Sequence, residues 1–214
     1  MKKGLSELIL ILDMSGSMSG MRDDTIGGYN TLIEEQKKVD GEARVTTVLF
    51  DDRYILLHDR EDLNDIEPLT DKEYSPRGMT AMLDAIGHTI SSVGQKLSEM
   101  PEDERPESVM VTIITDGYEN ASREYTWDAV QSMIREQREK YNWIFTFIGA
   151  DIDTIKVGKD LGIDSKLTRG YTKSSVGTAS VYTAMSASMS RMRTTDADYE
   201  TMLDSVAEEM EAIK

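Results

Sequence analysis

Three short runs of unbroken apolar character constrain this chain more than anything else in it: Leu8–Leu12 (LILIL), Ser108–Thr115 (SVMVTIIT) and Trp143–Ile148 (WIFTFI). A strand with one wet face alternates apolar and polar residues. An unbroken run needs cover on both faces. The stretches between the runs supply that cover. Met21–Val39 places Ile26, Tyr29, Leu32 and Ile33 on one side of a helix, with Gly41 as its stop. Met79–Leu97 spaces Leu83, Ile86, Ile90, Val93 and Leu97 by threes and fours, and Tyr125–Lys140 and Ile155–Leu161 read as further helices. Strands alternating with helices give a mostly parallel sheet covered on both faces. Arg44–Phe50 (RVTTVLF) is a β-branched strand, Asp51-Asp52 a turn and Arg53–Leu57 the return, so a hairpin puts one antiparallel strand at the edge. Lys166–Thr168 is a brief last strand. The prediction is an α/β, doubly wound, six-stranded sheet with helices on both faces.

The remaining segments are connections and tail. Asp59–Glu73 is polar and acidic and predicts a long surface connection, and Met100–Pro106 a charged loop. Thr172–Arg193 is helical, with Val176, Ala179, Tyr182, Met185, Met189 and Met192 on the stripe expected to pack on the domain. Thr194-Thr195-Asp196 breaks it. Asp198–Ile213 is a second amphipathic helix, apolar through Tyr199, Met202, Leu203, Val206, Met210 and Ile213. Its other face is acidic, through Asp196, Asp198, Glu200, Asp204, Glu208, Glu209 and Glu211, and suits either packing or a partner. The expected division is one domain over 1–193 and a helical extension over 194–214.

Composition narrows the chemistry. A chain of 214 residues with 39% hydrophobic content can bury a core unaided. With no cysteine and two histidines, thiolate zinc sites, iron–sulfur clusters, cysteine nucleophiles and multi-histidine sites are excluded. A metal here must be held by oxygen, which favours Mg²⁺, Ca²⁺ or Mn²⁺. Forty acidic against 24 basic residues, a net charge of −16, argues against nucleic acid and anionic membrane as partners. The apolar run after Met1–Gly4 is short and carries Glu7 and Asp13, so it does not make a signal peptide, and no stretch has transmembrane length. A soluble, cytoplasmic protein is expected.

In an open parallel sheet, ligands bind at the carboxyl ends of the strands where strand order reverses. Three segments fall on that rim: Asp13-Met14-Ser15-Gly16-Ser17, Asp116-Gly117, and Pro76-Arg77-Gly78-Met79-Thr80. In the D-x-S-x-S spacing, Gly16 lets the backbone bend so that Ser15 and Ser17 set both hydroxyls on one side of a loop. Hydroxyls are neutral ligands, so Asp13 and Asp116 must supply charge, directly or through water, and Thr80 adds a third hydroxyl. Such an oxygen-only, near-octahedral set suits Mg²⁺ or Mn²⁺. Each piece taken alone has a simpler reading as a helix cap. A second chemistry is also open: an Mg²⁺-dependent phosphoryl hydrolase of haloacid-dehalogenase type, with Asp13 as nucleophile and Asp116 on the metal. That chemistry wants an acid two residues after the nucleophile, where Ser15 stands, and a lysine that no motif marks. No G-x-x-x-x-G-K-S/T or G-x-G-x-x-G follows the first strand.

These segments resemble the von Willebrand factor type A (VWA) domain and its metal-ion-dependent adhesion site (MIDAS). Asp13, Ser15 and Ser17 match the D-x-S-x-S, Thr80 the separate threonine, and Thr115-Asp116-Gly117 the T-D-G. Phe50-Asp51-Asp52, the stretch from Gly78 to Ile86, and Ile148-Gly149-Ala150-Asp151 are also similar to family sequences, over about residues 5 to 190. The stand-alone, cysteine-free form looks most like intracellular bacterial or phage members. The resemblance implies a cation that joins the domain to a Glu or Asp of a protein partner, with direct contacts from Ser15, Ser17 and Thr80 and often water-mediated ones from Asp13 and Asp116. It implies a non-enzymatic binding module, and by analogy a partner such as an AAA+ ATPase or another intracellular complex.

Other residues have plainer expectations. Asp151 and Asp153 should cap the following helix, the alternative being an acidic layer at the rim that repels wrong ligands, and Asp51-Asp52 should form the hairpin turn rather than bind. His88 has no acid–base partner near it in sequence and His58 should lie on the surface. Trp127 and Trp143 are packing residues. Tyr118, Glu119 and Asn120 extend the loop after Asp116. Met18, Met21, Arg22 and Met79 flank the other loops and suit either adaptable contacts or partial burial.

Overall fold

The computed structural model describes residues 1–195 and 199–213. Asp196 and Asp198, part of the expected acidic helix face, lie outside the described residues. The six strands are β1 (Lys2–Asp13), β2 (Glu42–Phe50), β3 (Tyr54–Asp62), β4 (Pro106–Thr115), β5 (Ile144–Ala150) and β6 (Thr168–Tyr171). They form one sheet in the order β3-β2-β1-β4-β5-β6. Every pairing is parallel except β2 with β3, so the antiparallel hairpin sits at the edge as the sequence predicts. Strand order reverses between β1 and β4, where Leu12 pairs with Ile114 and both chains leave the sheet on the same rim.

The helices are α1 (Arg22–Lys37), α2 (Met82–Glu99), α3 (Trp127–Tyr141), α4 (Thr154–Asp160), α5 (Ser175–Thr194) and α6 (Tyr199–Met210). α1, α5 and α6 pack together in one layer, α2 and α3 in another. Leu8 to Leu12, Val111, Ile113, Ile144, Phe145 and Phe147 are buried between the layers. This explains why their strands carry no polar alternation. Trp143 is buried and stacks on Phe145.

The structure differs from expectation in four places. β3 runs on to Asp62 rather than ending at Leu57. The connection after it is not purely a surface loop, because Leu63, Ile66, Leu69 and Tyr74 plug into the core. Each is a single apolar residue in polar surroundings, so no periodicity announces it. His58, expected on the surface, is largely covered, with its side chain 11% exposed. On α5 the buried face is turned: Val176 is 76% exposed and Ala179 is also exposed, while Gly177, Thr178, Val181, Ala184 and Ser188 join Tyr182, Met185, Met189 and Met192 inside. Small and hydroxyl side chains let α5 lie close against α1, a contact that hydropathy alone does not register. α6 buries Leu203, Val206, Ala207 and Met210, and is tied to the rest by Ser188 Oγ donating to the Val206 carbonyl (3.3 Å) and by the Arg191–Glu209 and Lys166–Asp204 ion pairs. Its apolar face is therefore packed.

The closeness of α1 and α5 gives a paired prediction. A Cβ on Gly28 would lie 2.2 Å from Tyr182 Cδ2, whereas one on Gly27, a turn-neighbour facing solvent, meets nothing within 4 Å. Alanine normally improves a helix interior over glycine by about 1 kcal/mol. Gly27→Ala should therefore raise the urea midpoint. Gly28→Ala should lower it, by roughly 1–3 kcal/mol of overpacking.

Candidate metal centre

β1 and β4 deliver the two acidic residues. Asp13 is the last residue of β1 and has no exposed surface. Its Oδ1 accepts the Ser15 backbone N–H (2.6 Å), and its Oδ2 accepts the Thr115 hydroxyl (2.6 Å). Tyr74, also buried, donates its hydroxyl to the Asp13 carbonyl (2.6 Å). Burial pushes the Asp13 carboxyl up to about 6; the hydrogen bonds from Thr115 and Ser15 work against this and the nearby Asp116 charge works with it.

After β1 the chain turns through a short 3-10 helix, Gly16–Met21, that starts at Ser15. The Ser15 and Ser17 hydroxyls lie 3.0 Å apart, and Ser17 Oγ donates to Asp116 Oδ1. Asp116 is buried, and its Oδ2, sealed from solvent, faces the Lys173 ammonium.

Thr80 arrives from a distant loop that is braced from two sides. Its N–H donates to Asn120 Oδ1 (2.9 Å) and its carbonyl accepts the Asn120 N–H (3.0 Å). From the other side the Asp51 carbonyl accepts Ala81 N–H (2.8 Å). Gly78, in the left-handed region at φ 69°, presents its carbonyl to Gly16 N–H (3.2 Å), and a side chain there would strike Asp52. Gly117 closes the floor: the position of a Cβ on it lies 3.2 Å from Thr80 Oγ1, 3.6 Å from Ser17 Oγ and 4.0 Å from Asp13 Oδ2. The residues predicted from sequence, Asp13, Ser15, Ser17, Thr80 and Asp116, thus converge on one spot.

Helix capping does not account for them. Among the described residues, the helical turns beginning at Gly16, Arg22 and Met82 receive no side-chain cap from Ser15, Ser17 or Thr80. The first turn of α2 is satisfied instead by Glu119, whose Oε2 accepts Leu83 N–H (2.9 Å), and by Ser122 Oγ, which accepts Asp84 N–H (3.0 Å). Of the two carboxylates expected to cap α4, Asp153 does so: its Oδ1 accepts Lys156 N–H (3.1 Å). An all-oxygen set with two buried carboxylates, one of which already holds a cationic ammonium, fits a hard divalent cation.

Several residues that build the site were not singled out for it by the sequence. Asp51 forms the turn as expected but is fully buried and also accepts from Arg53 (2.7 Å) and Arg77 (3.2 Å). Burial would raise its carboxyl, but the hydrogen bonds from Arg53 and Arg77 outweigh burial and hold it below the usual range. Lys173, in the turn between β6 and α5, sets its ammonium 2.5 Å from Asp116 Oδ2. Of the flanking methionines Met18 and Met21 are buried and only Met79 is exposed; Tyr118, also exposed, accepts Asp153 N–H on its hydroxyl (2.8 Å). His88 pairs with Glu124 (3.2 Å) between Tyr54 and Tyr125.

No family profile matches the sequence, and no curated protein matches it. Solved structures do match. A von Willebrand factor type A protein from Catenulispora acidiphila is 14% identical, with a TM-score of 0.56 over 87% of this chain and 42% of that one. The vWF domain of the type V pili tip protein Mfa5 from Porphyromonas gingivalis is 9% identical, with a TM-score of 0.61 over 90% of this chain and 97% of that one. Proximal thread matrix protein 1 from the mussel byssus, in a structure with a zinc-occupied MIDAS motif, is 16% identical, with a TM-score of 0.56 over 98% of this chain and 46% of that one. The chain spans less than half the length of the Catenulispora and mussel chains it matches. Among the described residues, no helix is long and apolar enough to cross a membrane. With its central β1 and β4, its antiparallel edge and its helices on both faces, the chain has the fold of a von Willebrand factor type A domain.

Proposed function

We propose that this chain is a divalent-cation-dependent protein-binding module rather than an enzyme. The observation that carries the reading is the convergence of Asp13, Ser15, Ser17, Thr80 and Asp116 on one spot, with both carboxylates buried. Asp13, Ser15, Ser17, Thr80 and Asp116 would hold Mg²⁺ or Mn²⁺, and the ion would supply the positive charge that an acidic side chain of a partner seeks. Three of the five ligands are neutral hydroxyls, so they leave that charge incompletely quenched. Asp13 and Asp116 fix the position, and the Asn120 and Asp51 braces keep Thr80 in range. A zinc-occupied MIDAS in the mussel protein and a pilus adhesin from Lactobacillus rhamnosus GG with the same fold are consistent with this use.

The partner class follows from charge. A body at −16 repels acidic surfaces, so a Glu or Asp set within an otherwise basic face fits best. The absence of cysteine and the family resemblance support a cytoplasmic setting and an intracellular complex, such as one built on an AAA+ ATPase. Both oxygens of Asp13 are engaged and Ser15 stands where a hydrolase of the haloacid-dehalogenase type needs its second acid, which disfavours Asp13 as a nucleophile.

Affinity capture from native cytosol, with and without EDTA and with an Asp13→Ala bait, tests the reading. Partners lost both on chelation and with the variant are expected. A partner set unchanged by either treatment would overturn it. Mg²⁺-dependent turnover of an aryl phosphate, abolished by Asp13→Asn, would reverse the ranking in favour of the hydrolase.

A further inference from the structure

Lys173 belongs to neither the strands nor the loops that supply the oxygen set, yet its ammonium lies among them. It sits 2.5 Å from Asp116 Oδ2 and donates to the Ser17 carbonyl (2.8 Å), so it joins two of the three loops that build the site. Its delivery is structured. Tyr171 at the end of β6 is buried, Ser174 caps α5 by accepting Gly177 N–H (3.1 Å), and Ser175 Oγ donates to Asp24 (2.8 Å). Lys173 is thus held between two fixed points. Its side chain is 25% exposed, against none for Asp116, so it has a way out to solvent that the carboxylate lacks.

We infer that Lys173 is a tethered competitor for the cation position and sets the concentration at which the site loads. The inference rests on the metal reading of the site. A lysine ammonium and a divalent ion both seek the solvent-sealed Oδ2 of Asp116. If the ammonium stays, it repels the ion across a short, poorly solvated gap; if it leaves, an ion pair to a buried carboxylate is broken. Either route weakens loading. Opposite charges attract strongly across so short and poorly solvated a gap, so the ammonium competes directly with a metal for the carboxylate. Once displaced, Lys173 lies at the rim as a free amine facing solvent.

Two measurements test this. Isothermal titration with MgCl₂ should show Lys173→Met binding on the order of tenfold more tightly than wild type, with Lys173→Arg close to wild type. Asp13→Ala placed in the Lys173→Met background should remove the heat. Labelling of intact protein with an N-hydroxysuccinimide ester, read by mass spectrometry at the Lys173 peptide, should rise on adding Mg²⁺ in wild type and stay flat in Asp13→Ala. A wild type that binds Mg²⁺ beside a Lys173→Met that binds no better would overturn the competitor role and leave the metal reading standing. Absence of Mg²⁺ binding in both would overturn the two together.

Discussion

Asp13→Ala should abolish Mg²⁺ binding, with affinity falling by at least about a hundredfold, while the variant remains folded in EDTA. The size follows from charge. Of the five oxygen donors only Asp13 and Asp116 are anionic, and both are buried where a lost charge is not replaced by water. Ser17→Ala removes a neutral ligand and should cost less, on the order of tenfold, because Asp116 and Asp13 remain. Survival of the fold follows from the environment of Asp13: burial raises its carboxyl to about 6, so its ionised form is not favoured by folding. The alanine variant loses the acceptors for Ser15 N–H and the Thr115 hydroxyl, and Thr115 keeps a second partner in the Gly117 carbonyl (3.0 Å). Titration calorimetry of the three proteins, with circular dichroism in EDTA beside it, reads both effects. Equal binding by wild type and Asp13→Ala would remove the basis for a metal centre here.

The site was legible in sequence where its residues are contiguous or end an apolar run. Asp13, Ser15 and Ser17 fall within five residues, and Asp116 closes a strand whose unbroken apolarity marks it as central. Thr80 is different. One threonine before a helix has the chemistry of a cap, and only the family pattern separated it from one. The structure gives the physical reason that it is free of that duty, since Glu119 and Ser122 satisfy the first turn of α2. Lys173 had no sequence signal at all, and Asp51 and Arg77 stood out as a turn and a rim segment with nothing to show that they pair. Lys173 is 57 residues beyond Asp116 and reaches it because β6 pairs with β5 in parallel and ends on the same rim. The sheet was legible because hydrophobic runs specify burial on both faces. The rotation of α5 was not, because its close contact with α1 is made by Gly28 against Tyr182 and by Ser186 and Ser190 accepting from the Gln36 amide, which hydropathy does not count as core.

β1 carries a second buried carboxylate, and its effect should appear in the pH dependence of stability. Glu7 has no exposed side-chain surface; its Oε2 accepts Arg60 Nε–H (3.0 Å), and its Oε1 is buried with no hydrogen bond among the described residues. Arg60 reaches it from an irregular stretch of β3, where it takes a left-handed φ of 53°. Burial pushes the Glu7 carboxyl up to about 7 from an ordinary value of 4.5, against the lowering influence of the Arg60 charge and hydrogen bond and of Arg44. Below pH 4.5 Glu7 is protonated folded and unfolded alike. Between pH 4.5 and about 7 the unfolded chain releases the proton and the folded chain keeps it, so stability falls as pH rises. Above that window the contribution is flat. Glu7→Gln removes the slope, and its stability relative to wild type should rise by roughly 2–3 kcal/mol from pH 5 to pH 8. Arg60→Ala should extend the wild-type decline past pH 7, since Glu7 then lacks its counter-charge. Urea denaturation of the three proteins across this range decides the matter, and parallel curves for wild type and Glu7→Gln would mean that Glu7 titrates alike in both states. Glu7 lies six residues from Asp13 along one extended strand, about 20 Å. Mg²⁺ affinity in Glu7→Gln should therefore equal that of wild type, which separates the carboxylate that tunes the fold from the one that would hold the ion.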